Sequence, residues 1–206
     1  MHTPRPALRL TAMLALLAVT TLLVMLPPSA SARARALGKG QATVTLDTYF
    51  VLFVGGGFPI YPSAPATMHF GLALTPKLIV PIGGGTWDTV NARGTFLLKG
   101  GVDYIHYTSG PPLALHRLLI VKWHAGVNTT EGWTGQANGS RITIFDENLM
   151  GSHPSFFKRG GHRYVKVNDV ILTYDTAFST AFNNTFGTTI TPGTPFGTAT
   201  LVAQLK

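Results

Sequence analysis

Tyr104, His106 and Tyr107 place an imidazole between two phenols within four residues of chain. Tyrosine and histidine both serve as axial ligands of haem iron, and one can support the other through a hydrogen bond. The same residue types have a plainer use, as aromatic strand residues packed in a core around one hydrogen-bonded histidine. Both readings stand at this level. His116 and His124 fall at equal parity of one alternating run, and so on one face, but eight residues of extended chain hold them about 26 Å apart. They cannot share a metal. The H-E-x-x-H spacing of zinc enzymes is missing, and no metal site is expected.

Catalytic chemistry finds few candidates. Nucleophilic hydrolysis needs a Ser or Cys with a base in reach, yet the chain has no cysteine and no G-x-S-x-G elbow. Asp146-Glu147 is the one adjacent pair among eight acidic residues. Neighbours on a strand point to opposite faces, so the pair reads as part of a turn rather than as an acid-base couple. Gly83-Gly84-Gly85 lacks the following Lys-Ser or Lys-Thr of a phosphate loop. No catalytic residue is expected, and the chain reads as non-enzymatic.

The elements that must carry these residues are short runs of Val, Ile, Leu, Thr and aromatics, cut by Gly and Pro about every ten residues from Gln41 onward. That spacing indicates antiparallel strands in a β-sandwich, a mainly β fold with one or two short helices. Leu113 to Trp123 alternates clearly. Phe96, Leu98, Val102 and Tyr104 alternate around Gly100-Gly101, which marks a bulge or a close backbone approach. Ile142 and Ile144, then Val165 and Val167, supply further strands, while Gly83-Gly84-Gly85 and Gly160-Gly161 read as turns. A pattern T-x-D-T-x-F followed by G-x-x-I-x-P-x-x-P occurs in residues 43–65 and again in 171–195, which indicates a terminal repeat. In the second copy Phe178, Phe182 and Phe186 recur at helical spacing. Asp175 is placed to cap that helix and Gly187 to end it; Asp47 is the matching cap in the first copy.

Residues 1–32 read as a signal peptide: Arg5 and Arg9, an uncharged run from Leu10 to Leu26, the Pro27-Pro28 stop, and Ala30-Ser31-Ala32 as the cleavage site. A retained membrane anchor is the other reading, since the run is at the short edge of a bilayer span. Residues 33–40 are expected to be a flexible basic start and 41–206 a single domain. Such a domain is large enough to stand without disulfides. Removing the leader leaves a net charge of +6, with Lys158, Arg159, Arg163 and Lys166 clustered. That balance suits anionic wall polymers, lipid headgroups or a merely solvated surface. Charged residues are only 12% of the chain, about half the usual share, which argues against a nucleic-acid binder.

The chain resembles secreted β-rich proteins of high-GC Gram-positive bacteria in Thr43-Val44-Thr45-Leu46-Asp47, Pro81-Ile82-Gly83-Gly84-Gly85 and Phe196-Gly197-Thr198-Ala199-Thr200. More distantly, Gly94-Thr95-Phe96-Leu97-Leu98-Lys99-Gly100-Gly101-Val102 followed by Leu113-Ala114-Leu115 is similar to the core hairpin of Htaa-type domains. Those domains capture haem at the cell surface through a tyrosine supported by a histidine. The aromatic segment that carries their ligand tyrosine has no counterpart in this pattern, so that ligand is not transferred to any position. The resemblance implies haem as a cofactor; the residues by themselves require none. The expected function is a secreted or envelope-associated structural or binding module whose partners are cell-wall or surface components. Haem or another apolar ligand is the alternative, and an extracellular hydrolase comes after that. No membrane span is expected once the leader is removed. Amino-terminal sequencing of protein from culture medium should return a start near Arg33; recovery only from membranes with Met1 intact would contradict it.

Overall fold

The computed structural model describes residues 34–47, 60–70, 75–107, 116–127, 132–137, 140–149 and 152–206, with backbone alone at 105–107, 116–124 and 137. The strands are β1 (Arg35–Leu46), β2 (Ile60–Ser63), β3 (Thr67–Phe70), β4 (Pro76–Asp88), β5 (Arg93–Tyr107), β6 (His116–Val127), β7 (Trp133–Ala137), β8 (Ser140–Asn148), β9 (Pro154–Arg159), β10 (His162–Tyr174) and β11 (Pro195–Leu205). One helix, α1 (Thr176–Phe186), separates β10 from β11. Among the described residues no helix is long and apolar enough to cross a membrane.

The sheet is mainly antiparallel β, as the alternation indicates, but it is not a sandwich. Eight strands close into a barrel in the order β5-β6-β7-β8-β10-β11-β1-β4, and the ring is completed by β4 pairing with β5. Alternation reports one buried face per strand, and that signal is the same in both architectures. The difference lies in whether the last two edges meet, which depends on curvature introduced at bulges.

Two glycines build that seam. Gly85 has φ of 132° and lies against the Thr95 carbonyl, where a Cβ would collide. The run Gly83-Gly84-Gly85 is therefore part of β4 and not a turn. Gly100, with φ of 100°, lies as closely on the Ser63 carbonyl. There β5 leaves β4, and Gly101–Tyr104 pair with β2 instead, while β3 takes the matching edge of β4 at Pro76–Ile79. β2 and β3, joined by a turn in which Ala66 N–H donates to the Ser63 carbonyl at 3.0 Å, fill the wedge.

β1 begins at Arg35, so residues 35–40 are strand and not the flexible start expected of 33–40. Leu37 is 2% exposed and pairs with Leu205, which holds this segment in the sheet although two basic residues flank it. In β10 the alternation changes phase. Asp169 has φ of 54° and the register slips between Val167 and Val170, so Val165 and Val167 on one side and Val170, Leu172 and Tyr174 on the other all point inward. A strict period-two reading stops at such a bulge.

In α1 the Asp175 side chain accepts from Ala177 N–H at 2.7 Å, and Gly187, in the left-handed conformation, donates its N–H to the Asn183 carbonyl at 2.7 Å. Phe178, Phe182 and Phe186 form its buried stripe. Asn183 then fixes the returning chain: its Oδ1 accepts from Ile190 N–H and Thr188 Oγ1, both at 2.8 Å. In the first copy of the repeat Asp47 donates its N–H to the Phe196 carbonyl at 2.9 Å. Residues 48–59, which would form the helix it caps, lie outside the described residues. The two copies flank one strand: β1 and β10 lie on either side of β11 and run in the same direction. Asp175→Ala should lower stability by about 1 kcal/mol and Phe182→Ala by about 3 to 5 kcal/mol, read from urea unfolding; wild-type stability in Phe182→Ala would show that the ring is not part of the core.

Candidate functional site

Counted around the ring, β5 and β10 are diametrically opposed. Tyr104 on β5 and Tyr174 on β10 nevertheless meet, hydroxyl to hydroxyl at 3.1 Å, and both are fully buried. The contact spans the barrel. Tyr104 is wrapped by rings of α1, Phe182 edge-on at 5.3 Å and Phe178 at 5.7 Å between centroids. Tyr174 stacks on Phe178 at 4.9 Å and lies 5.5 Å from both Phe145 of β8 and Phe196 of β11. Six rings from four strands and the helix thus fill this end of the interior, and offset and edge-on pairs of this kind add to the area they bury.

Tyr174 is also fixed through its backbone. Its N–H donates to the Thr194 carbonyl at 3.0 Å, and its carbonyl accepts from Gly193 N–H at 2.8 Å. Burial pushes the Tyr104 hydroxyl well above its ordinary pKa, with the Tyr174 hydrogen bond acting in the opposite direction. Tyr174 is raised too, by burial first, then by the Tyr104 charge and hydrogen bond. Both remain neutral phenols at physiological pH. Tyr104, wholly buried, belongs to the core.

His106 and Tyr107 continue β5 beyond Tyr104. Their backbones stand opposite Arg117 and His116 of β6, so the paired ends of these two strands gather two histidines, a tyrosine and an arginine. The side chains of these four lie outside the described residues. His124, on the same strand β6, is opposite Leu97 and far along from His116. Among the described residues no group of three or more His, Asp or Glu side chains is placed to hold a metal ion.

Asp146 and Glu147 sit within β8, opposite Thr173 and Leu172 of β10, and not in a turn. The Asp146 carboxyl is raised above its ordinary pKa by partial burial and then by the negative charge of Asp175. Asp88 behaves oppositely: the Asn91 side chain and backbone and the Val90 N–H donate to it at 2.7 to 3.1 Å and lower its pKa. It holds the turn between β4 and β5. In the aromatic cluster the residue pattern does not reveal Tyr174 as the partner of Tyr104; the one signal is the place of Tyr174 in the repeated Thr-x-Asp-Thr segment.

No family model matches the chain, and no curated protein sequence does. Among solved structures it is similar to the crystal structure of the C-terminal domain of HtaA from Corynebacterium glutamicum. The match has a TM-score of 0.53 at 12% identity and covers 84% of this chain and 99% of that one. The likeness is one of fold. It spans nearly the whole of that domain, so it is not a local coincidence of strands.

The buried pair predicts an alkaline limit. Below about pH 10 both tyrosines are protonated in folded and unfolded chains alike, so their contribution is intact. Above it the unfolded chain releases phenolic protons that the folded chain retains, and stability falls. Phenolate absorbance followed beside circular dichroism should show at least two of the six tyrosines ionising only as the barrel opens. Reversible ionisation of all six with the fold intact would contradict it.

Proposed function

We propose that this chain is a binding module that acts outside the cell or on its envelope and holds a partner without converting it. The observation that carries the reading is the fold, shared with the HtaA C-terminal domain over nearly all of that domain. Its interior supports the same view. An eight-stranded barrel is just wide enough for its own side chains or for one small ligand, and here the space beside α1 is occupied by Tyr104, Tyr174, Phe178 and Phe182. A ligand is then taken at a rim.

Capture of haem is a second reading, and one placement favours it. The paired ends of β5 and β6 bring His106, Tyr107, His116 and Arg117 to adjoining register positions. Imidazole and phenol are axial ligands of iron, and a guanidinium suits a propionate. The sequence resemblance to Htaa-type domains points to the same ligand. In this reading Tyr104 braces the rim from within and is not the ligand.

Haem titration of the purified domain should give a Soret band that weakens at least tenfold in affinity in His106→Ala or Tyr107→Phe and is retained in Tyr104→Phe. Absence of the band in the wild type removes haem but leaves the binding module. Turnover of ester or polysaccharide substrates by the purified domain would overturn the module itself.

A further inference from the structure

We propose that the β9–β10 hairpin is a docking device for the surface of an anionic phospholipid bilayer. Only β9 leaves the ring; the β10 half of the hairpin also pairs with β11 and is part of the barrel wall. β9 pairs with β10 over Pro154–Arg159 and His162–Val167, and among the described residues its other edge has no strand. Every residue from Ser155 to Arg159 is exposed. The tip, Gly160-Gly161, has φ of 57° and 77°, the two positive values of a tight hairpin turn, and a Cβ added at either glycine would meet nothing within 4 Å.

The composition of this arm is cationic and aromatic together. Lys158, Arg159, Arg163 and Lys166 lie within residues 154–168, a stretch with no acidic residue. None of them has a carboxylate partner among the described residues. Arg35 at the start of β1 and Lys206 after β11 add exposed charge at the same end: Arg163 is opposite Leu205, and Lys206 N–H donates to the Ala36 carbonyl. Phe156 and Phe157 are 43% and 38% exposed. Phe156 stands opposite buried Val165, and Phe157 stacks on Tyr164 at 5.2 Å, so one ring lies on each face of the arm.

Charge alone would suit any polyanion. The rings select the partner. A polyphosphate or a duplex backbone leaves exposed phenylalanines in water, and a single strand stacks its bases on rings along one groove and not on the two faces of a hairpin, whereas a bilayer surface takes aromatic side chains at the headgroup level while phosphates meet the flanking cations. The arrangement of two exposed rings between four cations on a hairpin with one free edge matches that layering.

The test uses residues 33–206, which contain the whole closed barrel and lack the apolar run Leu10–Leu26 that would bind lipid by itself. Co-sedimentation with phosphatidylcholine vesicles, with and without phosphatidylglycerol, should show binding that requires the anionic lipid and weakens as salt is raised. Each Lys or Arg near an anionic surface is worth about a fivefold change in partition, so Lys158→Gln with Arg159→Gln should lose about 25-fold. Phe156→Ser with Phe157→Ser should lose about tenfold even though every charge remains. Both variants change exposed positions, and their unfolding midpoints should match the wild type. Equal binding to neutral vesicles, wild-type binding by the phenylalanine variant, or capture of inorganic polyphosphate as tight as that of vesicles would each overturn the proposal.

Discussion

Two phenols from opposite walls of the barrel meet at 3.1 Å, and much of the fold depends on that contact. A hydroxyl taken from water into an apolar interior is costly unless it finds a partner, so Tyr104 and Tyr174 each require the other to be in place. Tyr104 reaches the centre only if β5 bends away from β4 at Gly100. Tyr174 reaches it only if the bulge at Asp169 has changed the phase of β10. Closure of the ring and the two irregularities therefore support one another. The helix belongs to the same unit, because Phe178 and Phe182 exclude water from the pair while Asp175 and Gly187 fix where the helix begins and ends.

Much of this was legible in the residues, and what was not has a physical cause. Alternation located β5, β6, β8 and β10, and helical spacing with a cap on either side located α1, because these are local signals. The alternation indicates a sandwich and not a barrel because closure depends on β1 pairing with β11 from the far end of the chain as well as with β4, a long-range event that no local signal announces, and a glycine run looks the same in a turn and in a tightly coiled strand. The segment from Arg35 was read as flexible because its charges and glycines hide Leu37, whose burial depends on Leu205 at the far end of the chain. For the candidate site the sequence identified Tyr104 as a residue of consequence but not its role. Its partner is 70 residues away, and nothing local to Tyr104 announces a neutral, buried pair.

Aromatic rings occupy the interior beside α1, which leaves the rims to bind there, and the chain direction places the two rims at opposite ends. β5 and β10 run the same way around the ring, with Tyr104 and Tyr174 level with each other. His106 and Tyr107 lie beyond that level, towards the end where α1 follows β10, whereas the Gly160-Gly161 tip lies at the other end, where β10 begins. Charge is spread unevenly along the same axis. Arg35, Lys158, Arg159, Arg163 and Lys206 gather at the hairpin end, where Asp88 also lies, and Asp47, Asp146 and Asp175 stand towards the helix end, where Lys77 and Arg117 also lie. A barrel held at an anionic surface by its hairpin would therefore present the β5–β6 rim outward, away from that surface. Capture of a ligand from solution and attachment to a membrane would then use separate ends of one rigid body, with no surface residue required to serve both.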